Sequence, residues 1–250
     1  MKKMFKKLSV IALAFTMLFT AIPASAATST EYYYLPSKTL SGSEYYDMLV
    51  TLDSTNKITA SSVKSSSTSV ATRYSLYYSG IKYSNTSYES SSTSSDSYGF
   101  ATISFKIKKT GSTTISYKIG STTYKTKLYV KAYTNPVSSI TLTNVNSSKT
   151  FATKTKSSAS ASATLKKTTA NAKLKISAKS GWKVQIIQLY YSNYTSSTST
   201  STSYYRYYNT PKSSVSVAVG RLTKGRTYTL AVTYVNTSNG GTITTNYTIS

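Results

Sequence analysis

The chain has 250 residues with 30 lysines and arginines against six aspartates and glutamates, a formal net charge of +24, and neither histidine nor cysteine. That composition removes the usual general base, the thiolate nucleophile, the disulfide staple and the commonest zinc ligands together. All six acids, Glu31, Glu44, Asp47, Asp53, Glu89 and Asp96, lie in the first part of the chain; beyond residue 96 there are 18 lysines, three arginines and no carboxylate side chain.

The chain opens on Lys2, Lys3, Lys6 and Lys7, followed by an uncharged apolar run from Leu8 to Ile22, Pro23, and the small residues Ala24-Ser25-Ala26. This is the three-part pattern of a secretory signal, so residues 1–26 are expected to be removed and the remainder to be secreted or held at the cell surface. The apolar run is shorter than the ~20 residues a spanning helix needs, and no later segment is long and apolar enough to be one.

Strand-like periodicity follows. Tyr45 to Leu52, Ile58 to Val63 and Val70 to Tyr78 are expected as strands, separated by Ser-rich loops at 65–69 and 90–97. Ala101, Ile103, Phe105 and Ile107 then alternate with Thr102, Ser104, Lys106 and Lys108. Tyr124, Thr126, Leu128 and Val130 alternate likewise with three lysines and a tyrosine. A period of two buries one face and carries ammonium groups on the other. Ile115, Tyr117 and Ile119 form a further strand between these, and Gly111 and Gly120 supply turns.

Thr134-Asn135-Pro136 reads as a linker, after which strands are expected around Ile140, Ala161, Leu174, Val184 to Tyr191, Val217, Tyr228 to Tyr234, and Ile243 to Ile249. These make about seven short strands after the linker, the count of an immunoglobulin-like sandwich. The fold class is therefore all-β, with two tandem sandwich domains at residues 32–133 and 137–250 behind a signal peptide at 1–26.

Two segments carry a family resemblance. Leu222-Thr-Lys-Gly225-Arg-Thr-Tyr228-Thr-Leu230 resembles the E–F corner of fibronectin type III and related Ig-like domains. The resemblance implies that the Tyr228 hydroxyl bonds back to the turn backbone, with Gly225 turning the chain and Leu222 in the core. Ala101 to Val130 is similar to the closing strands of bacterial Ig-like domains, and the Ser-Gly-Trp182-Lys run adds to the likeness. A lone tryptophan on an Ig-like strand is expected in the core. The combined layout is similar to secreted tandem Ig-like proteins of Gram-positive bacteria, a class used for adhesion, spacing and binding. That implication rests on fold analogy.

Chemistry is hard to place on these residues. Glu44 with Asp47, or Glu89 with Asp96, could supply a carboxylate pair, but each lies in Ser/Tyr-rich sequence, and the second domain has none. Clustered acids for calcium are lacking, no serine stands in a nucleophile turn, and neither catalytic residues nor a cofactor site is expected.

Binding is the remaining class. The 25 tyrosines include Tyr204-Tyr205-Arg206-Tyr207-Tyr208, which follows a Ser/Thr-rich loop-like run and precedes Pro211. Four rings around an arginine make a candidate ligand-contact surface, since tyrosine faces stack on sugars and arginine forks onto phosphate or carboxylate. The same residues would equally suit a short edge strand whose rings pack on the sheet. Three functions fit: a non-catalytic adhesion or binding module touching anionic cell-wall polymers or glycans, a protein stacking neutral carbohydrate on tyrosine, or a structural matrix or spacer. Nucleic acid is not expected as a physiological partner, because the chain is exported and has no recognition motif.

Overall fold

A computed structural model describes residues 28–53, 57–79, 98–145, 155–192 and 200–250, so the expected signal peptide, Glu89 and Asp96 lie outside the described residues. The chain is all-β, and its contacts divide it into two compact units: residues 1–33 with 40–131, and residues 34–39 with 132–250.

The first unit contains β1 (Thr28–Tyr34), β2 (Tyr45–Asp53), β3 (Lys64–Ser65), β4 (Ala71–Ser79), β5 (Tyr98–Ile107), β6 (Gly111–Ile119) and β7 (Thr122–Lys131). One sheet runs β1-β7-β6-β3, and a second runs β2-β5-β4. The alternation of β5 and β7 is used directly: Ile103, Phe105, Ile107, Leu128 and Val130 are buried, and Lys125, Lys127 and Lys131 are exposed. Met48, Val50, Leu52, Ile115 and Tyr117 complete the interior between the two sheets. Tyr33 on β1 meets Tyr46 on β2 edge to face at 6.0 Å. At the start of β6, Gly111 has φ +146°, and a Cβ there would lie 2.9 Å from Val70 Cγ2, so close approach and backbone conformation both require glycine.

The expected strand from Ile58 to Val63 is instead a single 3-10 turn at Ala60–Ser62, with Ile58 bridging Ile119. The cause is local. Ser62 donates its backbone N–H and its hydroxyl to the Thr59 carbonyl at 2.8 and 2.6 Å, in competition with a ladder. Ahead of it, β1 is a strand that the tyrosine run at 32–34 did not announce.

The second unit contains β8 (Val137–Leu142), β9 (Ser160–Ala163), β10 (Thr169–Ala178), β11 (Trp182–Ser192), β12 (Thr200–Lys212), β13 (Ser214–Leu222), β14 (Tyr228–Asn236) and β15 (Thr242–Ile249). One sheet runs β12-β11-β14-β15, with β9 parallel on β15; the other runs β13-β10-β8. Between them lie Ile140, Leu174, Ile176, Val184, Ile187, Leu189, Leu230, Val232 and Tyr247. Strand β14 is buried on both faces from Leu230 to Tyr234, as befits a central strand.

Two tyrosine-based anchors hold this unit. Thr223 N–H donates to the Tyr228 hydroxyl at 2.8 Å, across the turn where Arg226 N–H meets the Thr223 carbonyl and Gly225 takes φ +87°. A positive φ at that third position is what a type II turn demands. Trp182 is buried, meets the Tyr34 ring at 5.1 Å, and Tyr34 Oη accepts from Asn239 at 3.0 Å.

Candidate functional site

The stretch 204–208 lies on strand β12 and not on a loop. β12 pairs with β11 and ends its sheet, just as β13 ends the other sheet. The two terminal strands leave a side of the sandwich open between them. There an open groove of about 480 Å³ is lined by Tyr204, Arg206, Tyr208 and Lys212 from β12, and by Ser214 to Ala218 from β13.

The pleat divides the five expected contact residues into two sets. Tyr204 is registered with Leu189 and Arg206 with Ile187, both buried. Registered partners share a face, so Tyr204 and Arg206 look into the open side of the sandwich. Tyr208 follows on that side and lines the same groove. Tyr205 and Tyr207 alternate onto the opposite face, where Tyr205 is 52% exposed. The structure thus gathers Tyr204, Arg206 and Tyr208, and separates them from Tyr205 and Tyr207.

Lys212 joins the groove through an irregularity. Ile186 pairs with Tyr207 and Val184 with Lys212, so four residues of β12 face one of β11. Such a bulge re-aims the side chains that follow it. Sequence reading missed Lys212 and the β13 wall, since only register and sheet order bring them to the tyrosines. The i, i+2, i+4 spacing of Tyr204, Arg206 and Tyr208 was the one available signal.

The groove is electropositive by construction. The guanidinium of Arg206 sits 5.8 Å from the centre of the Tyr208 ring, within cation–π range. Burial pushes the Tyr208 phenol above its ordinary range, with Tyr204 adding to this and Arg206 opposing it. The phenol is therefore a neutral donor at physiological pH. The second unit carries twelve lysines, three arginines and no aspartate or glutamate, so no acidic side chain of its own can neutralise Arg206 or Lys212.

Of the other sequence candidates, Glu44 has a structural role. Glu44 accepts from Ser41 N–H at 2.7 Å, Ser41 Oγ at 2.8 Å and Gly42 N–H at 2.9 Å. Burial alone would raise its pKa, but these donors hold the carboxyl below the usual carboxylate range. Asp47 stands on the outer face of β2, across from Ser104. Among the described residues no three acids, histidines or cysteines gather as a metal site. No helix among them is long and apolar enough to cross a membrane.

Two surfaces of the first unit were not foreseen. On the outer face of β2-β5-β4, Leu49 and Tyr77 flank Thr102 from either side, and Phe100 lies next along β5; all three large side chains are exposed. Tyr74, 62% exposed, meets Tyr45 at 4.6 Å on the same sheet. On the other sheet, Tyr32 stacks on Tyr129 at 5.0 Å, with Lys127 and Lys131 within 5.4 Å of the Tyr129 ring centre.

No protein-family model matches the chain, and no curated protein matches it. Among solved structures, domains 4–9 of the surface layer protein SbsC align with 91% of the chain at 14% identity and a TM-score of 0.28; the chain spans only 31% of that structure. Domains 5–6 of the S-layer protein SbsC align with 92% of the chain at 16% identity and a TM-score of 0.27, over 96% of their own length. The Yersinia pseudotuberculosis adhesin InvE aligns with 88% at 11% identity and a TM-score of 0.21, over 56% of its chain. Likeness at this level bears on neither activity nor partner.

Proposed function

We propose that the chain is a non-catalytic module, secreted or held at the cell surface, whose second unit contacts anionic envelope polymers. The observation that carries this reading is the complete absence of acidic side chains from a folded unit with fifteen cationic ones. Mixed-sign surfaces keep most domains soluble, and a single-sign field of this size attracts polyanions instead. Each exposed lysine contributes little alone, about 1 kcal/mol or less, so retention would come from many weak contacts along one polymer. The signal-like sequence pattern of residues 1–26 supports export.

The test is binding of the full secreted chain to isolated cell walls, with and without their anionic polymers, across a salt series. Binding that falls as salt rises and vanishes with the polymers is expected, because screening at physiological ionic strength acts over about 8 Å. Salt-indifferent binding refutes the reading.

The exposed face at Leu49, Tyr77 and Phe100 favours a second one, in which aromatic rings of the first unit stack on neutral glycan. That reading predicts salt-resistant binding abolished by Tyr77→Ala and untouched by changes in the second unit.

A further inference from the structure

We propose that the groove between β12 and β13 is a discrete recognition site for a linear acidic saccharide, with Arg206 and Lys212 taking its anionic groups and Tyr204 and Tyr208 its sugar rings. The proposal rests on the anionic-polymer reading and adds to it a place, a direction and a chemistry.

Direction comes from the strand. At about 3.4 Å per residue, Tyr204 and Tyr208 stand roughly 14 Å apart along β12, with Arg206 midway. A ligand touching both rings and the guanidinium between them must be extended and lie along the strand. The groove agrees, being open to solvent rather than a closed chamber for a small molecule.

Chemistry comes from the lining. Arg206 and Lys212 are exposed and their unit has no acidic side chain, so an anion from outside would meet no competing carboxylate side chain there. A guanidinium presents a planar fork that fits carboxylate or phosphate by two parallel hydrogen bonds, and its placement over the Tyr208 ring pre-orients it. Pre-orientation lowers the ordering cost of binding. Tyrosine offers an apolar face for the C–H side of a sugar and, protonated at physiological pH as any ordinary phenol is, a hydroxyl donor for its oxygens. Val215 and Val217, registered with the buried Ile176 and Leu174, turn an apolar surface inward from the facing strand, and Ser214 and Ser216 line the rim on its outer face. Acidic saccharide is favoured over a nucleic-acid strand because Tyr204 and Tyr208 stand roughly 14 Å apart along β12, beyond the spacing at which adjacent bases stack on neighbouring rings.

Carboxylate and phosphodiester share this anionic chemistry, and titration separates the two. The full secreted chain is titrated by calorimetry at physiological salt with an oligogalacturonate, its methyl ester, a sugar-substituted glycerol phosphate oligomer, and single-stranded DNA of equal charge. Binding of one or both acidic saccharides is expected, with no binding of the ester. Arg206→Lys preserves net charge but loses the fork, so it should weaken binding roughly tenfold, as should Tyr204→Ala. Tyr205→Ala, on the opposite face, should leave binding unchanged. If Arg206→Lys binds like the parent while salt still strips the protein from cell walls, the groove site is refuted and retention by the general field stands. Binding of whole walls but of neither acidic oligomer has the same meaning. Tighter binding of DNA than of either saccharide overturns the ligand class. Failure to bind walls or oligomers overturns the proposed function as well.

Discussion

Replacing Tyr228 by phenylalanine isolates one hydrogen bond at the corner between β13 and β14. The ring is buried at 2% exposure and lies 5.8 Å from Tyr191, contacts that phenylalanine retains. What is lost is the acceptor for Thr223 N–H at 2.8 Å. Thr223 is half-buried, so water can replace part of that bond, and the cost should be about 1 kcal/mol rather than that of a fully orphaned donor. Tyr228→Ala would instead open a cavity beside Tyr191, costing about 3–5 kcal/mol. For a unit of this size, 1 kcal/mol corresponds to a fall in Tm of about 4 °C. Trp182 is the sole tryptophan of the chain and belongs to the same unit, so its fluorescence during urea unfolding reports on this unit selectively. The midpoint should move down with the slope unchanged. A phenylalanine variant as stable as the parent would refute the contribution of the bond. One as unstable as the alanine variant would show that the hydroxyl supports far more than the turn.

Glu44→Gln keeps one carbonyl acceptor where three short contacts converge on two carboxylate oxygens, and should cost the first unit about 1–2 kcal/mol in chemical unfolding followed by circular dichroism. Because the carboxyl is held below its ordinary range, its stabilisation is present above about pH 4.3 and is lost as pH falls through the lowered value; the glutamine variant should lack that acid slope. At the alkaline end, burial pushes Tyr247 up to about 12 and raises Tyr234 as well. Their folded values exceed the ordinary value near 10, so the stabilisation is whole below pH 10 and is lost as pH rises through about 12, roughly 3 kcal/mol for Tyr247 alone. Tryptophan fluorescence should show this loss, and Tyr247→Phe should shrink it; a variant with an identical alkaline profile would refute the assignment.

The all-β fold was legible wherever apolar residues alternate with lysine, threonine or serine, as in β5 and β7, because the pleat permits only one phase to be buried. Legibility failed where a residue type serves either face. Tyr204 to Tyr208 offers a ring at four of five positions, so neither phase is marked and the sequence leaves loop and edge strand equally open. The run Met48-Leu49-Val50 is apolar in both phases, so the sequence does not mark Leu49 as the exposed one of the three. Ile58 to Val63 failed for a different reason: serine and threonine side chains bond their own backbone, and composition cannot tell that from a ladder. The groove lay beyond any local pattern. It exists because β12 and β13 each end a sheet, and because four residues of β12 face one of β11 so that Lys212 comes round to Tyr208.

A unit without acidic side chains must be built differently from one with mixed charge. It has no side-chain ion pairs of its own, and fifteen cations repel one another more strongly once folding has drawn them together. Stability must therefore come from apolar burial and backbone ladders, with two tyrosine hydroxyls tied to the backbone: Tyr133 to the Thr155 and Ser158 carbonyls, and Tyr228 to Thr223 N–H. The same repulsion gives the field its use. A polyanion neutralises the folded unit better than the expanded chain, because the cations are closer together on the folded surface. Binding then adds to folding stability by mass action, with a size set by ligand concentration relative to its dissociation constant. The missing carboxylates thus link the stability of the second unit to what it holds.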